Sequence, residues 1–206
     1  MTSKSSRLGW TLALLLLASA PAIAAPGEDA RAVMEKTVAD VLKVLDDGTL
    51  SLQTKRDRIQ AIAFERFDFV TMSKLVLKRD WKKFDAAQQQ EFVEQFREHL
   101  SARYGENLGK YEKEKVEVTT QHAETNGDVS VKTVIRGGKF DGTPVDYRLR
   151  QGSGWQVIDV VIENVSLVSS FRTQFADVLA KSGPTGVLEK LKQRNAARAA
   201  AKAKNA

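Results

Sequence analysis

Between Trp155 and Leu179 the chain reads WQVIDVVIENVSLVSSFRTQFADVL, and its hydrophobic period changes once. The first half alternates as a strand. Trp155, Val157 and Val161 fall on one side, and Ile158, Val160 and Ile162 mostly on the other. Side chains alternate across a strand, so this one is apolar on both faces from Val157 onward. Then Leu167, Val168, Phe171, Phe175, Val178 and Leu179 recur at three- and four-residue steps, the stripe of an amphipathic helix. A strand apolar on both faces that runs directly into such a helix must be covered by other elements. The stretch carries much apolar surface and no evident catalytic group.

The elements before it follow from the same periodicities. Glu28 and Asp29 suit a helix start, Val33, Met34, Val38, Val41, Leu42 and Leu45 keep helical spacing, and Asp47-Gly48 ends the run. A more polar helix is expected over Leu52 to Glu65, with Ile59, Ile62 and Ala63 inward. Asp68 is a candidate N-cap for a short helix through Leu77, flanked by Phe64, Phe67 and Phe69. Asp85 and Gln88 fit a capping box. Phe92, Phe96, Leu100, Tyr104, Leu108 and Tyr111 then follow as an aromatic-rich stripe over five turns. From Lys115 the pattern alternates. Val116 and Val118 open one strand, Asn126-Gly127 signals a hairpin, and Val129, Val131, Thr133 and Ile135 form a second strand. Val145, Tyr147 and Leu149 alternate with Asp146, Arg148 and Arg150 in a third, half-wet strand. The expectation is an α+β domain: a four-stranded antiparallel sheet with helices before and after it. Ser182-Gly183-Pro184 should stop the helix, and Val187, Leu188 and Leu191 support one more short helix. Residues 196–206 read as a basic frayed helix or disordered tail.

Lys4 and Arg7, the apolar run Leu8–Ala18 and the Ala22-Ile23-Ala24 site read as a signal peptide over residues 1–24, cleaved after Ala24. The alternative is an uncleaved anchor, but the apolar run falls short of the roughly 20 residues a span needs. Export follows as an expectation. Absence of cysteine excludes disulfides, thiolate metal sites and thiol nucleophiles. The formal charge of +6 belongs to the ends. The leader and the segment from Glu189 onward hold eight of the 32 bases and one of the 26 acids, which leaves the body at −1. That balance gives no support for a nucleic-acid partner.

Chemistry is hard to find. His99 and His122 lie in different elements without a second ligand at metal spacing, and His99 flanks its apolar stripe as a surface or half-buried residue. There is no nucleophile elbow and no phosphate loop. Ser166, Ser169 and Ser170 have no histidine nearby in sequence, although a triad assembled in space stays open. Asp159 and Glu163 are the notable acids. A buried Asp159 would need a partner, with Arg172 and Arg148 as candidates. An acid pair for hydrolysis is the enzymatic alternative, and a tight core or a lined cavity fits the apolar faces equally.

Two runs resemble a family of exported bacterial proteins. One extends from Phe67-Asp68-Phe69 through Leu75-Val76-Leu77 and Trp81-Lys82-Lys83 to Tyr104-Gly105. The other is Asp159-Val160-Val161-Ile162-Glu163-Asn164-Val165-Ser166-Leu167-Val168 with Phe171-Arg172 and Gln174-Phe175. The family is MlaC, the toluene-tolerance auxiliary family, and the resemblance spans about Ala30 to Asn195. Asn164 and Phe171 depart from the glycine and tyrosine expected there, and Asn tolerates the positive φ a glycine would use. The resemblance implies a lipid-binding domain over residues 25–195, with a twisted, nuclear-transport-factor-like sheet packed on helices around a hydrophobic cavity. It implies a non-enzymatic periplasmic phospholipid shuttle, without metal or cofactor, that maintains outer-membrane lipid asymmetry. Its partners would be an inner-membrane ABC transporter bearing an MCE-type protein and an outer-membrane lipoprotein–porin complex. Carriage of another hydrophobic small molecule is the alternative. The candidate lining is Phe69, Met72, Val76, Phe96, Tyr104, Leu108, Val131, Val145, Tyr147, Val160, Ile162, Leu167 and Phe171, in a cavity of about 1,000 Å³ or more for two acyl chains.

Overall fold

The computed structural model describes residues 26–204, with side chains placed from Ala30 to Ala201. The leader reading lies outside these residues. Helices α1 (Pro26–Asp46), α2 (Leu52–Arg66), α3 (Phe69–Leu77) and α4 (Ala86–Gly105) precede strands β1 (Lys115–Ala123), β2 (Val129–Arg136), β3 (Pro144–Gln151), β4 (Trp155–Ile162) and β5 (Val165–Ser166). Helix α5 (Leu167–Lys204) is the last described element. The sheet is an antiparallel meander in the order β1-β2-β3-β4-β5. The fifth strand, beyond the four expected, is a two-residue piece that turns back on the end of β4. Its turn residues Glu163 and Asn164 have φ of 49° and 65°, so Asn164 takes the left-handed conformation expected of it.

Local signals account for most boundaries. Asp68 caps α3 through the Thr71 amide at 2.8 Å. Asp85 and Gln88 exchange bonds of 2.8 and 3.1 Å as a complete capping box. Helix α4 stops at Gly105, and a 3₁₀ turn over Glu106–Lys110 follows, so Leu108 and Tyr111 are not on its stripe. The Tyr111 hydroxyl donates to Asp46 at 2.9 Å and ties that turn to the end of α1. Residues of α2 are at most half-buried, Ile59, Ile62 and Ala63 included, because this helix lies at the periphery.

The register of β4 differs from simple alternation. A bulge lies opposite Arg148 and Leu149, and Ile158 is the extra residue. It brings Trp155, Val157, Val160 and Ile162 onto one face with Val129, Val131, Val145, Tyr147 and Leu149. This inner face packs on Ala30 and Met34 of α1. A second apolar cluster joins α3, α4 and α5 through Phe92, Phe96, Phe171 and Phe175. Phe67 packs against both clusters. The chain at Phe67 bridges Val157, and the Asp68 amide donates to the Val157 carbonyl at 2.9 Å. The helical cluster is thereby attached along the β4 edge of the sheet.

Helix α5 is a hairpin of two arms. Gly183 sits at φ 60°, ψ −162°, a conformation essentially reserved for glycine, and Pro184 opens the second arm. The Arg194 guanidinium donates to the Gln174 side-chain oxygen at 3.1 Å. In a straight helix these residues would stand about 30 Å apart. The second arm therefore folds back along the first and buries Val187, Leu188 and Leu191. It stays helical to Lys204, which for residues 196–204 is the helical side of the sequence reading, and Arg198 pairs with Glu106 at 3.0 Å.

Two polar residues fix this arrangement. Asp159 is 2 % exposed, accepts from the Ser166 hydroxyl at 2.6 Å, and accepts from the Val168 amide at 3.1 Å. Its partners are thus the first turn of α5 and not an arginine; Arg172 instead donates to the Leu75 carbonyl at 2.8 Å, linking α5 to α3. His99 is 2 % exposed, which corrects the expectation of a surface or half-buried ring. Its Nδ1 meets Asn195 Oδ1 at 3.1 Å, Phe171 packs edge-on at 5.5 Å, and Nε2 is buried without a partner among the described residues. The second arm of α5 supplies that burial, which no local pattern around His99 announces.

Two outcomes follow. Asp159→Ala strips an amide and a hydroxyl of their acceptor and should lower stability by about 2 kcal/mol in urea unfolding, with Asp159→Asn milder. Burial, followed by the charges of Arg198, Arg194 and Arg103, holds the His99 ring below its ordinary value of 6.5, against the raising effect of Asn195. The unfolded chain therefore binds the proton more readily. Stability should be full above about pH 6.5 and fall as pH drops below it, and His99→Gln should flatten that part of the urea-midpoint profile.

Candidate functional site

The two apolar clusters leave a cleft where the end of β4, the β5 turn, the end of α4 and the start of α5 converge. Its volume is about 250 Å³, and it is lined by Arg103, Tyr104, Ile162, Glu163, Val165, Leu167, Ser170, Phe171 and Gln174. Local structure explains the convergence. The two-residue turn at Glu163-Asn164 reverses the chain at the rim, and Asp159 caps α5 so that Leu167 and Phe171 face the same space as Ile162. Polar residues stand at its edge, with Arg103 and Gln174 exposed.

Of the thirteen candidate lining residues, Tyr104, Ile162, Leu167 and Phe171 meet in this cleft. Val145, Tyr147 and Ile162 continue the inner face as half-buried residues packed on the sheet cluster, and Val131 and Val160 lie buried within it. Enclosure by protein pushes the Tyr147 phenol up to about 12, so the group is neutral in this apolar setting. Phe69, Met72, Val76 and Phe96 are buried in the helical cluster, behind the wall of the cleft. Leu108 lies half-buried on the 3₁₀ turn after α4. Sequence reasoning missed Val165, which is 57 % exposed at the rim, because the two-residue β5 carries too little pattern to be seen. Arg103 and Gln174 were missed as well, and the sequence singles out Glu163 and Ser170 as candidates for catalysis and not as lining. Arg103, Ser170 and Gln174 lie beside an apolar stripe and not on it, Glu163 lies in the turn after β4, and the packing of α4 against α5 at that turn brings them to one opening.

The volume is below the roughly 300–1,000 Å³ of ordinary ligand pockets and well below the 1,000 Å³ expected for two acyl chains. Its walls belong to separate clusters, however, so apolar surface continues on either side of it. Chemically the cleft offers dispersion contacts and exclusion of water. Among the described residues no three His, Cys, Asp or Glu side chains group as metal ligands. Ser166 and Asp159 are bound to each other and occupied in capping α5.

A second cleft of about 310 Å³ adjoins the first and shares Arg103 and Gln174 with it. His99, Arg194, Ala197 and Arg198 complete its lining.

Comparison with known proteins gives a consistent result. The toluene tolerance protein ttg2D of Pseudomonas putida is 26% identical over 176 residues, covering 82% of each chain. A phospholipid-binding protein from Ralstonia solanacearum, solved in complex with a phospholipid, superposes with a TM-score of 0.74 at 28% identity. That likeness covers 83% of this chain and 99% of the other. Residues 35–193, most of the described structure, match the family described as MlaC protein, and the chain belongs to that family.

Proposed function

We propose that this protein is a phospholipid carrier that holds acyl chain between the inner face of its sheet and the α4–α5 wall. The observation that carries this reading is the apolar cleft of Tyr104, Ile162, Leu167 and Phe171 at the seam between two separate clusters. The phospholipid held by the Ralstonia solanacearum relative supports it. Burying a CH₂ group is worth roughly 0.8 kcal/mol, so a sixteen-carbon chain gains of order 12 kcal/mol gross against water. A bilayer offers the same chain a similar gain. Exchange with a membrane is therefore nearly balanced, as a carrier requires, and a site with few polar demands suits it.

Loading requires the cleft to widen. The clusters meet at Phe67 and at the Asp159–α5 joint, both on the β4 edge, so separation of α4 and the first α5 arm from Val145, Tyr147 and Ile162 would enlarge the space. The place of action in this reading is the periplasm, reached by cleavage after Ala24. The partners are an inner-membrane ABC transporter with an MCE-type protein and an outer-membrane lipoprotein–porin complex, and the process served is outer-membrane lipid asymmetry. The family resemblance and the leader-like sequence support these assignments.

Native mass spectrometry of protein purified without detergent should find co-purified phospholipid. Its absence from several preparations would count decisively against the reading, and a different hydrophobic ligand would redirect it. Leu167→Glu introduces a charge into the cleft at a helix start that tolerates acids, and should cut lipid loading by about tenfold or more while circular dichroism stays unchanged. The N-terminal mass of protein recovered from the periplasm should correspond to a chain starting at Ala25.

A further inference from the structure

We propose that the cleft framed by His99, Arg103, Arg194 and Arg198 is a phosphate subsite that gives the carrier a preference for anionic phospholipids. The proposal rests on the carrier reading and adds a headgroup specificity to it. Three arginines line one opening of about 310 Å³, and among the described residues its lining includes no carboxylate. Arg198 pairs with Glu106 outside that lining at 3.0 Å, and among the described residues Arg194 donates only to the neutral amide of Gln174 at 3.1 Å. The guanidinium of Arg103 lies 5.9 Å from the Tyr104 ring centroid. The floor includes His99, which is 2 % exposed and has a ring nitrogen, Nε2, buried without a partner among the described residues. The proximity of the three guanidinium groups is also felt at this ring, whose protonation they oppose.

Position strengthens the assignment. Arg103 and Gln174 belong to both clefts. An amphiphile with a chain against Leu167 and Phe171 would thus bring its anionic end to the arginines across one shared wall. Guanidinium groups match phosphate oxygens in charge and in paired-donor geometry. Every phospholipid has a phosphodiester, but a zwitterionic headgroup adds a cation that the same arginines repel. A headgroup without that cation keeps the full attraction. The α5 hairpin makes the site, because Arg194 and Arg198 reach Gln174 and Arg103 only when the second arm folds back.

The test is competitive loading from vesicles of equimolar phosphatidylglycerol and phosphatidylcholine, read by mass spectrometry of the re-isolated protein. The expected phosphatidylglycerol-to-phosphatidylcholine ratio on the wild-type protein is about five- to tenfold above that of the vesicle, since the arginines repel the choline cation that only phosphatidylcholine carries. It should approach one in the double variant Arg194→Gln, Arg198→Gln, recover in Arg194→Lys, Arg198→Lys, and decline in the wild-type protein as sodium chloride is raised. Because the readout is a ratio, a variant that loads less lipid still reports. Equal loading of both lipids by the wild-type protein overturns the subsite and leaves the carrier reading intact; loading of neither overturns both. An unchanged ratio in the glutamine variant also overturns the subsite. A separate arm follows the His99 ring by NMR with inorganic phosphate alone. Perturbation by phosphate together with lipid preference supports a phosphate subsite used by lipid. Perturbation without preference assigns it to free phosphate and overturns the headgroup role.

Discussion

The carboxylate of Asp159 is the point on which the two halves of this protein depend. A buried ion without partners is costly, and here the cost is offset by the first turn of α5, whose Val168 amide and preceding Ser166 hydroxyl both point to it. The helix N-terminus adds a favourable dipole. Capping is usually done by the residue just before a helix; in this protein a strand residue also does it, so the direction of α5 is dictated by the sheet. Leu167 and Phe171 acquire their places from that angle. Arg172, one turn along, reaches the Leu75 carbonyl and carries α3 into the same assembly. Removal of the carboxylate would therefore loosen the wall of the cleft as well as the helix end.

Much of the fold is visible in the sequence, because most signals there are local. The Asp68 cap, the Asp85–Gln88 box and the Gly183-Pro184 break act within a few residues and are found where the pattern puts them. What is hidden depends on partners far along the chain. Strict alternation assigns Trp155 and Val157 to the face opposite Val160 and Ile162, but the bulge at Ile158 places all four together. A bulge is a property of the strand pair, and β4 alone does not reveal it. The burial of His99 depends on Asn195, almost a hundred residues away. The same limit applies to the site. Phe69, Met72, Val76 and Phe96 are as apolar as Ile162 and Leu167, yet they pack behind the wall, and hydrophobicity does not separate a residue that lines a space from one that fills it.

The cleft is small because the structure brings its walls close together, and the division of the core into two clusters explains how such a site can serve a larger guest. A single continuous core would resist opening, since close-packed interiors lose dispersion contacts with every fraction of an ångström. Here the seam already lies between the sheet cluster and the helical cluster, with the attachments on one edge.

The folded-back α5 has a consequence for how the molecule assembles. Residues joined by short sequence separations close early, since loop-closure entropy is small. The β1–β4 meander is such a unit, and the two arms of α5 around Gly183 are another. Helix α1 is different. It must cover an inner face whose strands begin some seventy residues after it ends, at Lys115. The order of closure implied by these separations is sheet and helical hairpin first, α1 last. Until α1 settles, the apolar face of Val129, Val131, Leu149 and Val157 stands open, and the helix that starts the described chain acts as its final cover.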